Sequence, residues 1–164
     1  TLCGDPDRNE GGESPRAANL RRGTAFTIRN FLVTGIKTVG FQISDAATSA
    51  QVDNGTSQMG AGVAWGMPTN MHASVATYIT SGRFPNITSA ATTTDAQVGI
   101  SAAGCSNHDN PNFQPSGVAT LAGGQLAPIQ PPNDGFFEAV TYIGAVAPAP
   151  ADNWMSGWTS FPQR

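Results

Sequence analysis

The sequence predicts an all-β fold, namely the end piece of a right-handed parallel β-helix (a solenoid) with short inserted helices and an aromatic C-terminal cap. Short β-rich runs occupy residues 25–28, 30–33 and 39–43, with glycine or asparagine at the corners. They lack the Asn-Gly or Asp-Gly turns of hairpins and suit parallel coils, in which each strand pairs with the coils above and below it. Charged residues are only 12% of the chain and strong helix formers are few, which argues against an α-rich fold.

The length indicates a single domain over residues 1–164. Residues 1–19 are polar and contain glycine and proline, which indicates a loop. Residues 20–66 carry the strand and corner pattern and are predicted to form the coils. Residues 67–135 are predicted to be a loop-rich insert. Residues 136–164 are predicted to form a strand and a cap over the open end of the coils, since exposed strand edges invite further pairing.

Short helices are predicted within this framework. Residues 45–52 fit one or two helical turns, with Ser44 or Asp45 as the N-cap. Residues 70–81 leave helix and strand open, because the apolar spacing favours a helix while the threonine and valine content favours a strand. A further helical turn is predicted near residues 94–98.

Charge and composition limit the partners and the location. The net charge of −3 argues against nucleic acid as a partner. No apolar segment approaches the ~18 residues that a membrane span requires. Low charge with abundant threonine, serine, asparagine and glutamine is typical of exported β-proteins, so a secreted location, extracellular or on the outer cell surface, is expected.

The two cysteines, Cys3 and Cys105, fit no metal-binding or redox motif. They form either a long-range disulfide or two free thiols, and the sequence leaves both alternatives open. A disulfide that closes a loop of about 100 residues would stabilise the fold by about 4–5 kcal/mol in the chain-entropy model.

A calcium site is the cofactor candidate of this sequence. Asp5, Asp7 and Asn9 place oxygen ligands at alternate positions, a spacing that can wrap a hard cation such as Ca²⁺. The segment is not an EF-hand loop, since Glu10 stands where that loop has glycine. The alternative is a solvated acidic loop that nearby arginines neutralise.

No catalytic residue is predicted. His72 and His108 stand alone in polar segments, without a zinc or catalytic-triad motif. A carbohydrate lyase on a β-helix would need charged residues along one groove, often with Ca²⁺, but those of this chain fall at corners and turns. The charged candidates are Arg21, Arg22, Arg29, Lys37, Asp45 and Asp53, and the aromatic candidates for stacking on sugar rings are Trp65, Tyr78, Trp154 and Trp158. For the last two, packing in the cap is the alternative.

Several segments carry a family resemblance: LRRGTAFTIRNFLVTG, GFQISDAATSA, PNFQPSGVATL and the ending DGFFE…YIGA…DNW…GWT. They resemble the C-terminal portion of large secreted bacterial proteins of the hypothetical-protein or lipoprotein type, whose upstream part resembles a right-handed parallel β-helix. The resemblance implies fold and export but supplies no catalytic motif. It also implies that an upstream β-helix segment or another molecule completes the N-terminal face.

The expected function is therefore that of a non-enzymatic secreted or cell-surface structural or adhesive protein. Self-association would make it a subunit of a filament or surface layer. The alternative is an extracellular protein that binds a polysaccharide, or cleaves it as a lyase does.

Overall fold

The computed structural model describes residues 1–5, 7, 15–107, 109–116, 127–148, 153–155, 157 and 159. Seven strands and four helices lie within this part of the chain. In chain order they are β1 (Leu2–Cys3), β2 (Arg16–Leu20), β3 (Thr27–Thr34), β4 (Val39–Ile43), α1 (Ala46–Asp53), β5 (Gln58–Trp65), β6 (Thr69–Met71), α2 (Ala73–Thr80), β7 (Ile87–Thr88), α3 (Asp95–Val98) and α4 (Ala102–Cys105).

The strands form two parallel sheets. The first sheet has the order β1-β3-β5-β7, and the second sheet has the order β2-β4-β6. All paired strands are parallel. Helix α1 leads from the second sheet back to the first between β4 and β5, and α2 does so between β6 and β7. Strands that follow one another in the sequence thus lie in different sheets. With helices between some of the parallel strands, the fold is α/β.

The prediction of an all-β right-handed parallel β-helix is therefore wrong. Short strands do pair in parallel, but helices, rather than solenoid corners, make two of the three returns from the second sheet to the first. Because the filament was inferred in part from the stacked coils of a β-helix, that expectation loses this basis. Adhesion and self-association stay predictions.

The two returning helices are specified by their caps rather than by strong helix formers. Asp45 caps α1 by accepting a hydrogen bond from the Thr48 N–H at 2.8 Å. His72 caps α2, where its Nδ1 accepts from the Ser74 N–H at 3.2 Å. Such side chains satisfy backbone donors that the first turn leaves without partners. The predicted helix at residues 45–52 is confirmed, and the ambiguous segment 70–81 contains a helix.

A column of left-handed residues crosses the first sheet. Asn30, Ala61 and Asn86 have φ of 54°, 49° and 57°, and the register of β3, β5 and β7 places them side by side. The left-handed backbone at Asn30 kinks β3 and shifts the alternation of its side chains between the two faces. As a result Ile28 and Phe31, three positions apart, both pack into the same cluster, where a regular strand would place them on opposite faces.

Two apolar clusters cover the two faces of the first sheet. The inner cluster joins the two sheets and helices α1 and α2, with Phe31, Phe41, Val52, Met59 and Val75 among its buried members. The outer cluster packs α3 and α4 on the opposite face, around Leu32, Val63, Trp65, Val98 and Ile143. A parallel sheet covered on both faces explains the continuous apolar composition of β5.

The predictions for both ends of the chain need correction. The segment 1–19, predicted as loop, contains β1 and β2. The described residues of 136–164 form no strand, and Gly144 with φ of 110° interrupts the apolar run there. The predicted aromatic cap is also wrong for the described residues, because Phe136 is 83% exposed and Trp154 is 52% exposed. Trp158 lies outside the described residues.

None of the helices in the described part of the chain is long and apolar enough to cross a membrane.

Replacing Asp45 with asparagine should lower thermal stability at neutral pH and flatten its dependence on acid. The backbone N–H of Arg22 and then that of Thr48 bind the Asp45 carboxylate and lower its pKa. Because the folded state favours the ionised form, this stabilisation is complete above the ordinary pKa of about 4 and is lost as the pH falls through the lower pKa of the folded protein.

Asparagine keeps a capping oxygen, so the variant isolates the charge. Thermal unfolding of both proteins between neutral pH and about pH 2 measures the effect. An equal loss of stability in acid for both proteins would show that Asp45 contributes nothing to the pH dependence.

Candidate functional site

A groove runs beside the N-terminal half of β3, where a loop from residues 127–148 lies against the first sheet. It consists of a smaller depression of about 250 Å³ and a larger one of about 580 Å³. Arg29 and Ile129 line both depressions. We call the two together the Arg29 groove, and its defining residues are Arg29, Gln58, Arg83, Ile129, Phe137 and Glu138.

Asn30 fixes the loop that forms one wall of the groove. Its Nδ2 donates to the Ile129 carbonyl at 3.0 Å, and its Oδ1 accepts from the Ile129 N–H at 2.9 Å. The Asn30 carbonyl accepts from the Gly144 N–H at 2.8 Å. The left-handed backbone of Asn30 is tolerated better by asparagine than by most residues. The Asn30 side chain thus makes the two hydrogen bonds to the loop backbone that a residue of a neighbouring strand would make.

Gly60 lets the same loop approach the sheet closely. A Cβ atom at this position would lie 2.5 Å from Cδ1 of Ile129 and 3.1 Å from the Pro85 carbonyl oxygen. Gly60 pairs with Arg29 in the sheet register. The missing side chain therefore leaves room for Ile129 next to the arginine that both depressions share.

Gln130 closes the loop on itself. Its Nε2 donates to the Val140 carbonyl at 2.7 Å, and its Oε1 accepts from the Val140 N–H at 3.2 Å. These two bonds join the arms of the loop at residues 130 and 140. Phe137 and Glu138 lie between the joined arms, so the clip presents both side chains to the larger depression.

The two arginines of the smaller depression are held by neutral oxygens. Arg29 donates through Nη2 to Oε1 of Gln58 at 2.9 Å and through Nη1 to the Gln130 carbonyl at 3.4 Å. Arg83 donates through Nη2 to the Asp53 carbonyl at 2.6 Å. Among the described residues, neither guanidinium forms an ion pair with a carboxylate. This end of the groove therefore carries two positive charges, neither of which is paired with a described carboxylate.

An aromatic side chain and a carboxylate mark the larger depression. Phe137 is 52% exposed and lines it, and Glu138 stands next to it on the same wall. Phe136 contacts Phe137 edge to face at 4.9 Å between ring centroids, but it does not line the depression. A half-exposed ring beside polar groups can stack on a flat ligand while the polar groups fix its orientation.

The charged residues proposed from the sequence for sugar chemistry do not converge. Arg22 and Asp45 meet where the turn before β3 contacts the start of α1. Lys37 lies between β3 and β4 and does not line the groove. Of the set, Arg29 lines the groove, and Asp53 reaches its neighbourhood through the bond from Arg83.

The aromatic candidates fare differently from what the sequence suggests. Trp65 is 1% exposed, and its Nε1 donates to Asp95 Oδ1 at 2.8 Å, so it is a core residue. Tyr78 is half-buried against Phe84. Trp154 is exposed but donates to the Ala145 carbonyl away from the groove.

Sequence reasoning missed Phe137 and Arg83. A useful signal for Phe137 was present in Asp134-Gly135 before it, because a turn followed by two phenylalanines places apolar rings on a loop tip. Arg83 had no local signal. It follows helix α2 and belongs to the groove through a contact with residue 53, thirty positions earlier in the chain.

The remaining candidates have simpler outcomes. The structure joins Cys3 to Cys105 in a disulfide. His72 is the N-cap of α2, and His108 lies outside the described residues. Asp5 and Asp7 form a local turn, in which the Asp7 N–H donates to Asp5 Oδ1.

The third member of the calcium candidate, Asn9, also lies outside the described residues. No cluster of three or more histidine, cysteine or acidic residues suited to a metal occurs in the part of the chain that the structure describes. The calcium site stays a prediction.

Fold and site together define a parallel α/β domain with a disulfide and a polar groove that carries an aromatic ring. Comparison with family models, curated proteins and solved structures finds no match for this chain. The resemblance to secreted bacterial proteins of the β-helix type thus stays a prediction of the sequence.

Proposed function

We propose that this chain is a non-enzymatic, exported adhesive domain that binds an extracellular polysaccharide in the Arg29 groove. The observation that carries the proposal is the half-exposed ring of Phe137 over a depression of about 580 Å³. Typical small-molecule sites span about 300–1,000 Å³ and combine apolar surface with a few placed polar groups. The depression fits this description.

The chemistry of the lining suits sugars. A pyranose ring presents an apolar face and a rim of hydroxyl groups. Phe137 offers a matching flat surface, while Arg29 and Glu138 lie around it with donors and acceptors for hydroxyls. The hydrogen bonds of Asn30 and Gln130 hold the loop in place, which lowers the entropic cost of binding.

Binding is favoured over hydrolysis by the number of carboxylates. Most glycosidases place two carboxyl groups about 5–10 Å apart across the scissile bond. Among the described residues that line the two depressions, Glu138 is the one carboxylate. A site that only binds a sugar needs no second carboxyl group, so a single carboxylate in the lining is sufficient for it.

The disulfide supports the location in the proposal. Cys3 and Cys105 are joined across 102 positions of sequence, and such bonds persist in oxidising compartments and are rare in the cytosol. An exported protein meets polysaccharides of the cell surface and of the surrounding matrix.

Replacing Phe137 with alanine should weaken polysaccharide binding at least tenfold. The ring supplies the apolar platform of the larger depression, and truncating a central aromatic anchor commonly costs about 2 kcal/mol or more. Isothermal titration of the purified protein with a panel of neutral and acidic polysaccharides measures the affinity of both proteins.

Phe136→Ala is the matched control, since it removes the neighbouring ring, which does not line the depression. Its affinity should stay within about threefold of the starting protein. Absence of binding to every polysaccharide of the panel would overturn the proposed function. Equal losses of affinity in both phenylalanine variants would show that the Phe137 ring is not the specific binding platform.

A further inference from the structure

We infer that the Arg29 groove selects acidic polysaccharides, with a sugar carboxylate bound between Arg29 and Arg83. The inference rests on the proposed function and adds the class of ligand. It starts from the smaller depression, which has a volume of about 250 Å³ and both guanidinium groups in its lining. This volume is below the usual range for a whole small-molecule site, and it suits one charged substituent of a larger ligand.

The bonds of the two arginines leave donors for a ligand. Each guanidinium carries five N–H donors. Two of the five in Arg29 are directed to Gln58 and Gln130, and one in Arg83 is directed to the Asp53 carbonyl. A planar carboxylate accepts two parallel bonds from such a fork. The fixed bonds to neutral oxygens orient both side chains without neutralising them.

Asp53, an acidic residue next to Arg83, offsets this charge only in part. Asp53 and Arg83 also line a shallow depression next to the groove, but the two residues form no ion pair in the described structure. The contact between them uses the Asp53 backbone oxygen. The Asp53 carboxylate weakens the positive field at Arg83 but accepts no hydrogen bond from its guanidinium.

The polarity of the groove gives the ligand a direction. Glu138 lines the larger depression and does not line the smaller one. A carboxylate of the ligand is repelled at the Glu138 end and attracted at the Arg83 end. Glu138 instead accepts hydroxyl protons from a neighbouring sugar. An acidic sugar in the smaller depression, followed by a ring stacked on Phe137, satisfies both ends.

A pair of ligands that differ only in charge tests this inference. Polygalacturonate oligosaccharides and the same oligosaccharides after reduction of their carboxyl groups to alcohols have the same ring stereochemistry. We expect the acidic form to bind at least tenfold more tightly at low ionic strength, and the preference should shrink as salt is added. Isothermal titration of the full chain measures both affinities.

Two arginine variants locate the preference. Arg83→Gln should lose most of the preference for the acidic ligand, because its affinity for that ligand falls by more than its affinity for the reduced ligand. Arg21→Gln is the matched control, because it removes the same charge from an exposed turn outside the groove and should keep the preference. Circular dichroism verifies that both variants are folded. If Arg83→Gln does not fold, Arg83→Lys replaces it, since this variant keeps the charge but loses the fork and should lose part of the preference.

The outcomes separate the two proposals. Equal affinity of the unmodified protein for the acidic and the reduced ligand overturns the acidic selectivity and leaves polysaccharide binding in place. A preference that Arg83→Gln retains in full, or that Arg21→Gln loses equally, also overturns it. Binding to neither of these ligands overturns the inference, and the wider panel of polysaccharides then decides whether the proposed function survives.

Discussion

Removing the disulfide by the double change Cys3→Ala and Cys105→Ala should lower the free energy of unfolding by about 4 kcal/mol, within the range of about 2–5 kcal/mol for native disulfides. The bond spans 102 positions, and the entropy gained by the unfolded chain grows with the length of the closed loop. Chemical denaturation of the double variant, and of the starting protein under oxidising conditions, measures the change in the free energy of unfolding.

The loss should be largest at the edge of the first sheet. β1 has two residues and pairs with β3 alone, too few ladder bonds to hold a strand in place by themselves. Cys105 lies in the outer cluster with 4% of its surface exposed. The disulfide thus fastens β1 to the outer cluster, against which Cys3 also packs. Hydrogen exchange at the Gly4 N–H, which follows β1 and donates to the Thr34 carbonyl at 3.0 Å, should become faster in the variant.

Reduction of the starting protein is the control, since it breaks the bond and leaves both side chains in place. Its unfolding midpoint should fall close to that of the double variant. A double variant as stable as the oxidised protein would mean that the bond adds nothing. A double variant much less stable than the reduced protein would assign the effect to packing of the sulfur atoms.

Local features of the fold were readable from the sequence. Helix α1 was predicted because Asp45 is followed by a helix-compatible run and then by Asn54-Gly55, and cap residues act within one turn of chain. The strand β4 over Val39–Ile43 coincides with the predicted run 39–43. These elements depend on neighbours within a few positions, so the sequence contains what specifies them.

The fold class was not readable in the same way. Low charge and short β-rich runs are compatible with solenoid corners and with short helices between two sheets. The difference lies in segments such as Ala73–Thr80, where threonine and valine weaken the helical signal. Burial of Val75 in the inner cluster and the His72 cap make this segment helical. The burial of Val75 is known only from the packed structure.

The groove depends on contacts that no local pattern encodes. Arg29 was one of six charged candidates, and nothing near it in the chain set it apart. Its position in a site follows from the two bonds between Asn30 and Ile129, which lie 99 positions apart. Such long-range pairing becomes visible only when the register of the first sheet is known.

We expect the largest loss of folding stability from a single substitution at the contact between Phe31 and Gly62. A Cβ atom at Gly62 would lie 2.4 Å from the Phe31 ring, so the ring occupies the space of the missing side chain in the neighbouring strand. Phe31 also contacts Phe41 edge to face at 5.1 Å. Phe31→Ala should cost about 3–5 kcal/mol because it leaves a cavity between the two sheets.

Gly62→Ala should cost about 1–3 kcal/mol by the opposite mechanism, since the added methyl group displaces the ring. The two effects should not add. In the Phe31→Ala background the methyl group enters empty space, so Gly62→Ala should be neutral or stabilising there. A double-mutant cycle from chemical denaturation measures the coupling. Pairing Gly62→Ala with Val98→Ala in the outer cluster is the control, and this pair should be additive. Additive losses for the Phe31 and Gly62 pair would mean that the glycine is not required by the ring, and that the kinked strands β3 and β5 can adjust their spacing to accommodate both groups.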